Sequence, residues 1–192
     1  MTNIAIFASG SGTNAENIIK YFGNSEKIKI SLILSNKKDA FVLKRAQNFN
    51  IPFYYFDRND FYRSDRINKI LKANNIDFIV LAGFLWLLPE NLISDYNNKI
   101  INIHPALLPN YGGKGMFGMH VHKAVIANKE KESGISIHFV NSKYDDGDII
   151  FQSKCLIEKN ETPDSLAQKV HQLEYNFFPK IINDVINKIF YS

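Results

Sequence analysis

Short apolar runs alternate with helical patterns along the first hundred residues, and this alternation limits the fold more than any other feature of the sequence. The runs that predict strands are residues 4–8, 28–35, 53–56, 77–82 and 99–103. Between them, apolar residues recur at helical spacing over residues 15–22, 40–48 and 60–74. Strands separated by helices form βαβ units, which build parallel sheets with right-handed crossovers. We therefore expect an α/β fold with a Rossmann-like, open, mostly parallel twisted sheet and flanking helices.

The second half of the chain has a different pattern. Residues 105–119 are rich in glycine and proline, which predicts a loop. Two further strands are expected over residues 136–140 and 149–156, joined by an aspartate-rich turn. Residues 163–190 have the spacing of a long amphipathic helix, in which we expect a break near Pro179. A length of 192 residues fits one domain.

Composition and charge exclude several classes of protein. The 23 basic and 19 acidic residues give a net charge of +4, which is too mild and too dispersed for a nucleic-acid-binding surface. A single cysteine excludes an internal disulfide framework. His120 and His122 have no carboxylate at ligand spacing, so we expect no metal site. The longest apolar run, residues 78–89, is shorter than the ~20 residues of a membrane span, and no targeting segment is visible. We expect a cytoplasmic protein without a membrane partner.

A glycine-rich loop, Ser9-Gly10-Ser11-Gly12-Thr13-Asn14, follows the first predicted strand and precedes a helix. Glycines let the backbone approach a ligand, and the N–H groups at a helix start favour an anion. No Lys-Ser/Thr pair follows, and Ala15 stands where a dinucleotide motif has its third glycine. A single phosphate is therefore the favoured ligand. The alternative is a tight turn with Ser11 or Thr13 as the N-cap.

Two polar residues interrupt the fifth predicted strand. Asn102 and His104 are two residues apart, so they point to the same face. Histidine moves protons near neutral pH, and an amide can stabilise an oxyanion. The alternative is a hydrogen-bonded pair in the core. Residues 144–148 hold three aspartates around Gly147, and one of them could orient the histidine, although an ordinary acidic turn explains them as well.

Three segments follow strands that are expected to be parallel, namely residues 9–14, 83–88 and 104–109. In open α/β sheets, ligands bind outside the carboxyl ends of the strands. We therefore expect the three segments to meet in one site. His171 and Glu174 share a face of the last helix, which either reaches this site or is simply solvated.

These segments together resemble the phosphoribosylglycinamide formyltransferase family, the folate-dependent enzymes of purine synthesis. The resemblance runs nearly end to end and is carried by residues 8–14, 35–46, 80–84, 101–109, 134–140 and 145–147. It implies transfer of the formyl group of 10-formyltetrahydrofolate, a co-substrate, to the glycinamide amine of 5'-phosphoribosylglycinamide in de novo purine biosynthesis. It further implies small-molecule partners, no metal, and a monomer or homodimer. A formyl-folate hydrolase, a methionyl-tRNA formyltransferase and a non-catalytic nucleotide-binding module stay open as alternatives.

The resemblance also implies a role for particular residues. The catalytic residues would be Asn102, His104 and Asp145, with Asp145 raising the pKa of His104. The ribotide and its phosphate would be held by Gly12, Thr13, Asn14, His171 and Glu174. The folate would be bound by Leu85, Trp86, Leu87, Leu88, Asn102, Asn141, Ser142, Lys143, Tyr144 and Asp145. Residues 1–100 would form a phosphate-binding half, and residues 101–192 a catalytic and folate-binding half.

Some positions depart from the family pattern. Trp86 stands where family members often have a basic residue, and Arg63 is the nearest counterpart of an arginine that is often found early in the third helix. Residues 112–122 form a longer loop than in some members. By the same resemblance, the bond between Leu108 and Pro109 is expected to be cis.

Overall fold

Seven strands form a single sheet in the computed structural model, which describes all 192 residues. The strands are β1 (Thr2–Phe7), β2 (Ile28–Ser35), β3 (Phe53–Tyr55), β4 (Phe78–Leu81), β5 (Ile100–His104), β6 (Glu132–Phe139) and β7 (Ile149–Leu156). They lie in the order β3-β2-β1-β4-β5-β6-β7. The first five pair in parallel, whereas β6 and β7 are antiparallel to their neighbours. The predicted mostly parallel α/β sheet is therefore confirmed.

Seven helices flank the sheet. They are α1 (Thr13–Phe22), α2 (Phe41–Asn48), α3 (Arg58–Tyr62), α4 (Arg66–Ala73), α5 (Glu90–Asp95), α6 (Met119–Ala127) and α7 (Pro163–Phe190). None of them combines the length and apolar character that a membrane crossing requires.

Two hydrophobic clusters cover the two faces of the sheet. Along β1, Ile4 and Ile6 belong to the larger cluster, whereas Ala5 and Phe7 belong to the smaller one. Side chains alternate between the faces of a strand, so a strand that is buried on both sides has a continuous apolar sequence. This burial explains the unbroken apolar runs of β1 and β4, all of whose side chains from Ile4 to Phe7 and from Phe78 to Leu81 are buried.

Several predicted element boundaries were wrong. Residues 60–74 form two helices rather than one, because Asp57 and Asp60 cap a separate short helix, α3. The short helices α5 and α6 were not predicted, and α6 begins inside the segment that was predicted as a loop. The strand β6 begins four residues earlier than residue 136.

The predicted break near Pro179 is also absent, since α7 runs without interruption to Phe190. A proline within a helix leaves the carbonyl four residues earlier without its usual donor. Here that carbonyl belongs to Tyr175, and Asn17 of α1 donates its side-chain N–H to it at 2.9 Å. The neighbouring helix thus replaces the hydrogen bond that Pro179 cannot make.

The order of the strands reverses at β1, because β2 lies on one side of β1 and β4 on the other. The loops that leave β1 and β4 therefore diverge to opposite faces of the sheet and open a crevice between them. One backbone hydrogen bond joins the two loops where they leave the sheet, from the N–H of Ser9 to the carbonyl of Gly83 at 3.0 Å. This crevice lies at the carboxyl ends of β1 and β4.

Candidate active site

A cleft of about 650 Å³ opens at the carboxyl ends of β1, β4 and β5. Its walls come from the glycine-rich loop, the segment after β4, the end of β5, the loop before α6, the turn between β6 and β7, and one face of α7. The structure thus brings together the segments that were expected to meet. All three proposed catalytic residues and all five proposed ribotide contacts line this one cleft: Asn102, His104, Asp145, Gly12, Thr13, Asn14, His171 and Glu174.

The glycine-rich loop is held in a conformation that only glycine adopts easily. Gly12 has a φ of 73° and is itself the N-cap of α1, and no side chain caps this helix. A Cβ atom on Gly12 would lie 2.5 Å from the Cβ of Val42, so α2 packs directly against the loop. The alternative of Ser11 or Thr13 as the N-cap is therefore wrong. The first N–H groups of α1 have no intrahelical partner, which suits them to an anion.

Glu174 is buried on α7 and meets the start of α1. Only 4% of this residue is exposed, and its Oε2 accepts hydrogen bonds from Asn14 Nδ2 and from His171 Nδ1, each at 2.8 Å. The Glu174 carboxylate raises the pKa of His171 through this hydrogen bond. Glu174 is therefore not part of a solvated face. The carbonyl oxygen of the Asn14 side chain is buried without a partner, which leaves one acceptor free beside the glycine-rich loop.

The predicted triad forms one contiguous, partly buried group. Asp145 Oδ2 lies 3.5 Å from His104 Nδ1, and Asn102 Nδ2 donates to Asp145 Oδ1 at 3.3 Å. The side chains of His104 and Asp145 are only 4% and 12% exposed. Asp145 has a φ of 51°, a conformation that is uncommon for residues other than glycine and that recurs at functional sites. The N–H of Gly113 also donates to Asp145 Oδ2, at 2.9 Å.

A second histidine, His138 on β6, completes this group. Its Nδ1–H donates to the carbonyl of Phe139 at 2.8 Å. The other nitrogen, Nε2, then accepts from Asn102 Nδ2 at 3.1 Å and lies 3.7 Å from Asp145 Oδ1. The side chain of Asn102 is thus oriented by two neighbours at once.

The net pKa shift of His104 differs from the expectation. Burial lowers the pKa of His104 below its usual value, and it outweighs the opposing effect of the Asp145 carboxylate. The Asp145 carboxylate acts in the expected direction, but the net shift is downward because the imidazole is almost completely removed from water. For Asp145, burial acts to raise the pKa, but the contacts with His138, His104 and the Gly113 N–H together lower it. The site therefore pairs a neutral imidazole with an ionised carboxylate at neutral pH.

The structure brings together some of the proposed folate contacts and not others. Leu85, Trp86 and Tyr144 line the cleft with Asn102 and Asp145. The remaining five proposed residues do not line it: Leu87, Leu88, Asn141, Ser142 and Lys143.

Four of these five residues have contacts or exposure outside the cleft. Leu88 is only 4% exposed and packs in the smaller hydrophobic cluster. The carbonyl of Leu87 accepts from the Tyr62 hydroxyl at 2.9 Å. Ser142 and Lys143 are exposed at the tip of the turn. The sequence predicted the position of the turn correctly, but the spacing of its residues did not indicate which of them line the cleft.

The mouth of the cleft has an arginine that sequence reasoning missed. Arg58, at the start of α3, lines the cleft, and its guanidinium carbon lies 5.0 Å from the centre of the Trp86 ring. Arg63 does not line the cleft. The bond between Leu108 and Pro109 is cis, as expected.

Comparison with known proteins agrees with this site. A profile described as "Formyl transferase" matches residues 2–182. The chain belongs to the formyl transferase family. It is 36% identical over 188 residues to a chloroplastic phosphoribosylglycinamide formyltransferase of Arabidopsis thaliana, and 31% identical over 191 residues to a phosphoribosylglycinamide formyltransferase of Bacillus subtilis. These alignments cover 95% and 97% of this chain.

The extent of the match differs among the relatives. The chain spans 64% of the Arabidopsis protein but 95% of the Bacillus subtilis protein. Among solved structures, the phosphoribosylglycinamide formyltransferase of Bacillus halodurans matches with a TM-score of 0.88 and 32% identity, and the alignment covers 100% of each chain. The Rossmann-like fold is therefore that of solved formyltransferases.

Proposed function

We propose that this chain transfers the formyl group of 10-formyltetrahydrofolate to the glycinamide amine of 5'-phosphoribosylglycinamide, a step of de novo purine biosynthesis. One observation supports it most directly: the glycine-rich loop at the start of α1 shares one cleft with the Asn102 amide, the His104 imidazole and the Asp145 carboxylate. The names of the relatives point to the same reaction. In this proposal the substrates are small molecules, the location is cytoplasmic, and residues 1–100 and 101–192 form the phosphate-binding half and the catalytic half of one domain.

The ribotide is assigned to the end of the cleft between α1 and α7. Its phosphate would meet the N–H groups of Gly12, Thr13 and Asn14 at the helix start, where the helix dipole favours an anion. Its ribose hydroxyls would meet the Glu174 carboxylate. His171, whose pKa Glu174 raises, would add positive charge near the phosphate.

The formyl oxygen is assigned to a position beside Asn102 Nδ2. The contact of this amide with Asp145 Oδ1 is long, at 3.3 Å, and is easily exchanged for a better partner. When the amine attacks the formyl carbon, negative charge develops on this oxygen. The Asn102 amide would stabilise it, and removal of one such donor typically slows a reaction by about 10²–10³-fold.

Proton transfer is assigned to His104. Because its imidazole is neutral, Nδ1 can accept the proton that the attacking amine loses and then return it to the departing folate nitrogen. Asp145 would stabilise the imidazolium in between. The folate would lie toward Leu85, Trp86 and Tyr144, with its negative carboxylates near Arg58.

An assay with both substrates tests this proposal. Purified protein with 10-formyltetrahydrofolate should form N-formyl ribotide only when 5'-phosphoribosylglycinamide is present, and one formyl group should be lost from the folate for each ribotide formylated. Formate release at the same rate without the ribotide would instead indicate a hydrolase. No reaction with either would leave a binding protein, and both results contradict the proposal.

A further inference from the structure

The segment from Tyr111 to Gly113 contacts both His104 and Asp145. The Tyr111 carbonyl accepts a hydrogen bond from His104 Nε2 at 2.7 Å, and the N–H of Gly113 donates to Asp145 Oδ2 at 2.9 Å. A neutral imidazole has one N–H, and a carbonyl acceptor draws it to the nitrogen that it faces. The Tyr111 carbonyl therefore selects the His104 tautomer with hydrogen on Nε2 and the lone pair on Nδ1.

This carbonyl belongs to a residue with an unfavourable backbone conformation. Tyr111 has a φ of 57°, which is uncommon for a residue other than glycine. Its neighbour Gly112 has no room for a side chain, because a Cβ there would lie 2.6 Å from Leu108 Cδ2 and 3.2 Å from Asp145 Cβ. Such a conformation persists only where surrounding contacts fix it.

The contacts that fix Tyr111 lie outside the cleft. Its hydroxyl donates to Glu130 Oε1 at 2.6 Å and accepts from Asn128 Nδ2 at 2.9 Å. Asn128 and Glu130 follow the end of α6 and do not line the cleft. The ring of Tyr111 packs against the larger hydrophobic cluster. The side chain thus connects a surface turn to the main chain beside His104.

We propose that Tyr111 is a positioning residue: its hydroxyl, anchored by Glu130 and Asn128, holds its carbonyl against His104 and keeps Nδ1 as the nitrogen that exchanges the proton. The kinetic part rests on the proposed function, since it concerns the proton transfer assigned there to His104. The tautomer is a property of the protein alone.

The kinetic test uses Tyr111→Phe, which removes the hydroxyl and keeps the ring. We expect kcat to fall about tenfold with each KM changed by less than about twofold, because displacement of a catalytic group by 1 Å can cost up to about 10²-fold. The matched control is Tyr191→Phe, since the Tyr191 hydroxyl also has two partners, Thr2 Oγ1 and the Lys27 carbonyl, and they lie far from the cleft. This control should keep the wild-type kcat.

Two variants of Glu130 test the hydrogen bond between Glu130 and the Tyr111 hydroxyl. Glu130→Ala should lower kcat as Tyr111→Phe does, and the double variant should be no slower than either single variant, because both remove the same contact. Glu130→Gln keeps an acceptor oxygen and should retain at least about half of the wild-type kcat, since the hydrogen bond survives. Additive losses in the double variant would contradict the proposal.

The tautomer itself is read from the ¹⁵N chemical shifts of the histidine side chains, with His104→Gln to assign the signals. Wild-type His104 should have a protonated Nε2 and an unprotonated Nδ1, and Tyr111→Phe should give a mixture of tautomers. This measurement needs no turnover, so it decides the positioning role even if the protein does not formylate the ribotide. An unchanged tautomer, or wild-type kcat in Tyr111→Phe, would overturn the proposal.

Discussion

Asp145→Asn tests the electrostatic part of the proposed reaction. The substitution keeps the shape of the side chain and removes its charge, which is present at neutral pH because the contacts of Asp145 lower its pKa. Asp145 Oδ2 lies 3.5 Å from His104 Nδ1. With an effective dielectric constant of about 20, a carboxylate at that distance stabilises an imidazolium by about 5 kcal/mol at most.

The expected loss is smaller than this upper limit, because the asparagine amide keeps part of the dipole. We expect about 3 kcal/mol, which corresponds to a fall in kcat of about 10²-fold. The fold should survive, since the asparagine oxygen can still accept from the Gly113 N–H and its nitrogen would face His138 Nε2, which lies 3.7 Å from Asp145 Oδ1. The free energy of unfolding should therefore change by less than about 1.5 kcal/mol, the usual range for one hydrogen bond.

The assay measures steady-state formylation of the ribotide beside urea unfolding of the same preparation. Asp146→Asn is the matched control, because this neighbouring carboxylate is exposed and contacts only Asn141 and Lys143, neither of which lines the cleft. It should keep the wild-type kcat. If Asp145→Asn also stayed within about threefold of wild type, the proposed stabilisation of His104 would be refuted.

Three further substitutions test other parts of the structure. Gly12→Ala should raise the KM for the ribotide and lower the melting temperature, since its Cβ would meet Val42 and its φ is positive; an unchanged KM would contradict the phosphate site. Asn17→Ala should lower the free energy of unfolding by about 1–2 kcal/mol in urea titrations, because the Tyr175 carbonyl loses its donor; no change would show that water replaces it. Burial lowers the pKa of His122, and the charge of nearby His171 lowers it further. As the pH falls, the unfolded chain therefore binds a proton at this histidine before the folded protein does, so the free energy of unfolding decreases below about pH 6.5. His122→Leu should reduce the loss of unfolding free energy between pH 7.5 and 5.5, and an equal loss in both proteins would contradict this.

The sequence predicted the parallel part of the fold because burial on both faces of a strand leaves an unambiguous apolar run. It failed where tertiary contacts override local preference. Pro179 predicted a break in α7, and only the position of Asn17 on another helix explains why the helix continues. The short helices α3 and α5 have too few residues for a periodic pattern to reveal them.

The candidate site was predictable to the extent that its chemistry lies in side chains. Asn102 and His104 stand out in an apolar strand, and the end of β5 is where such a sheet binds ligands. His138 also lies within a strand, and nothing in its neighbours along the chain indicates that β6 pairs with β5 and places His138 beside Asn102. Tyr111 contributes a main-chain carbonyl, for which the residue type gives no signal.

A structure with 5'-phosphoribosylglycinamide and a non-reactive folate analogue bound together would show whether the two substrates meet at His104 and Asn102. We expect the phosphate on the N–H groups at the start of α1 and the amine nitrogen about 3–3.5 Å from the carbon that replaces the formyl carbon, a separation typical of reacting atoms. The amine should also lie within reach of His104 Nδ1. A phosphate bound elsewhere, or an amine directed away from His104 and Asn102, would contradict it.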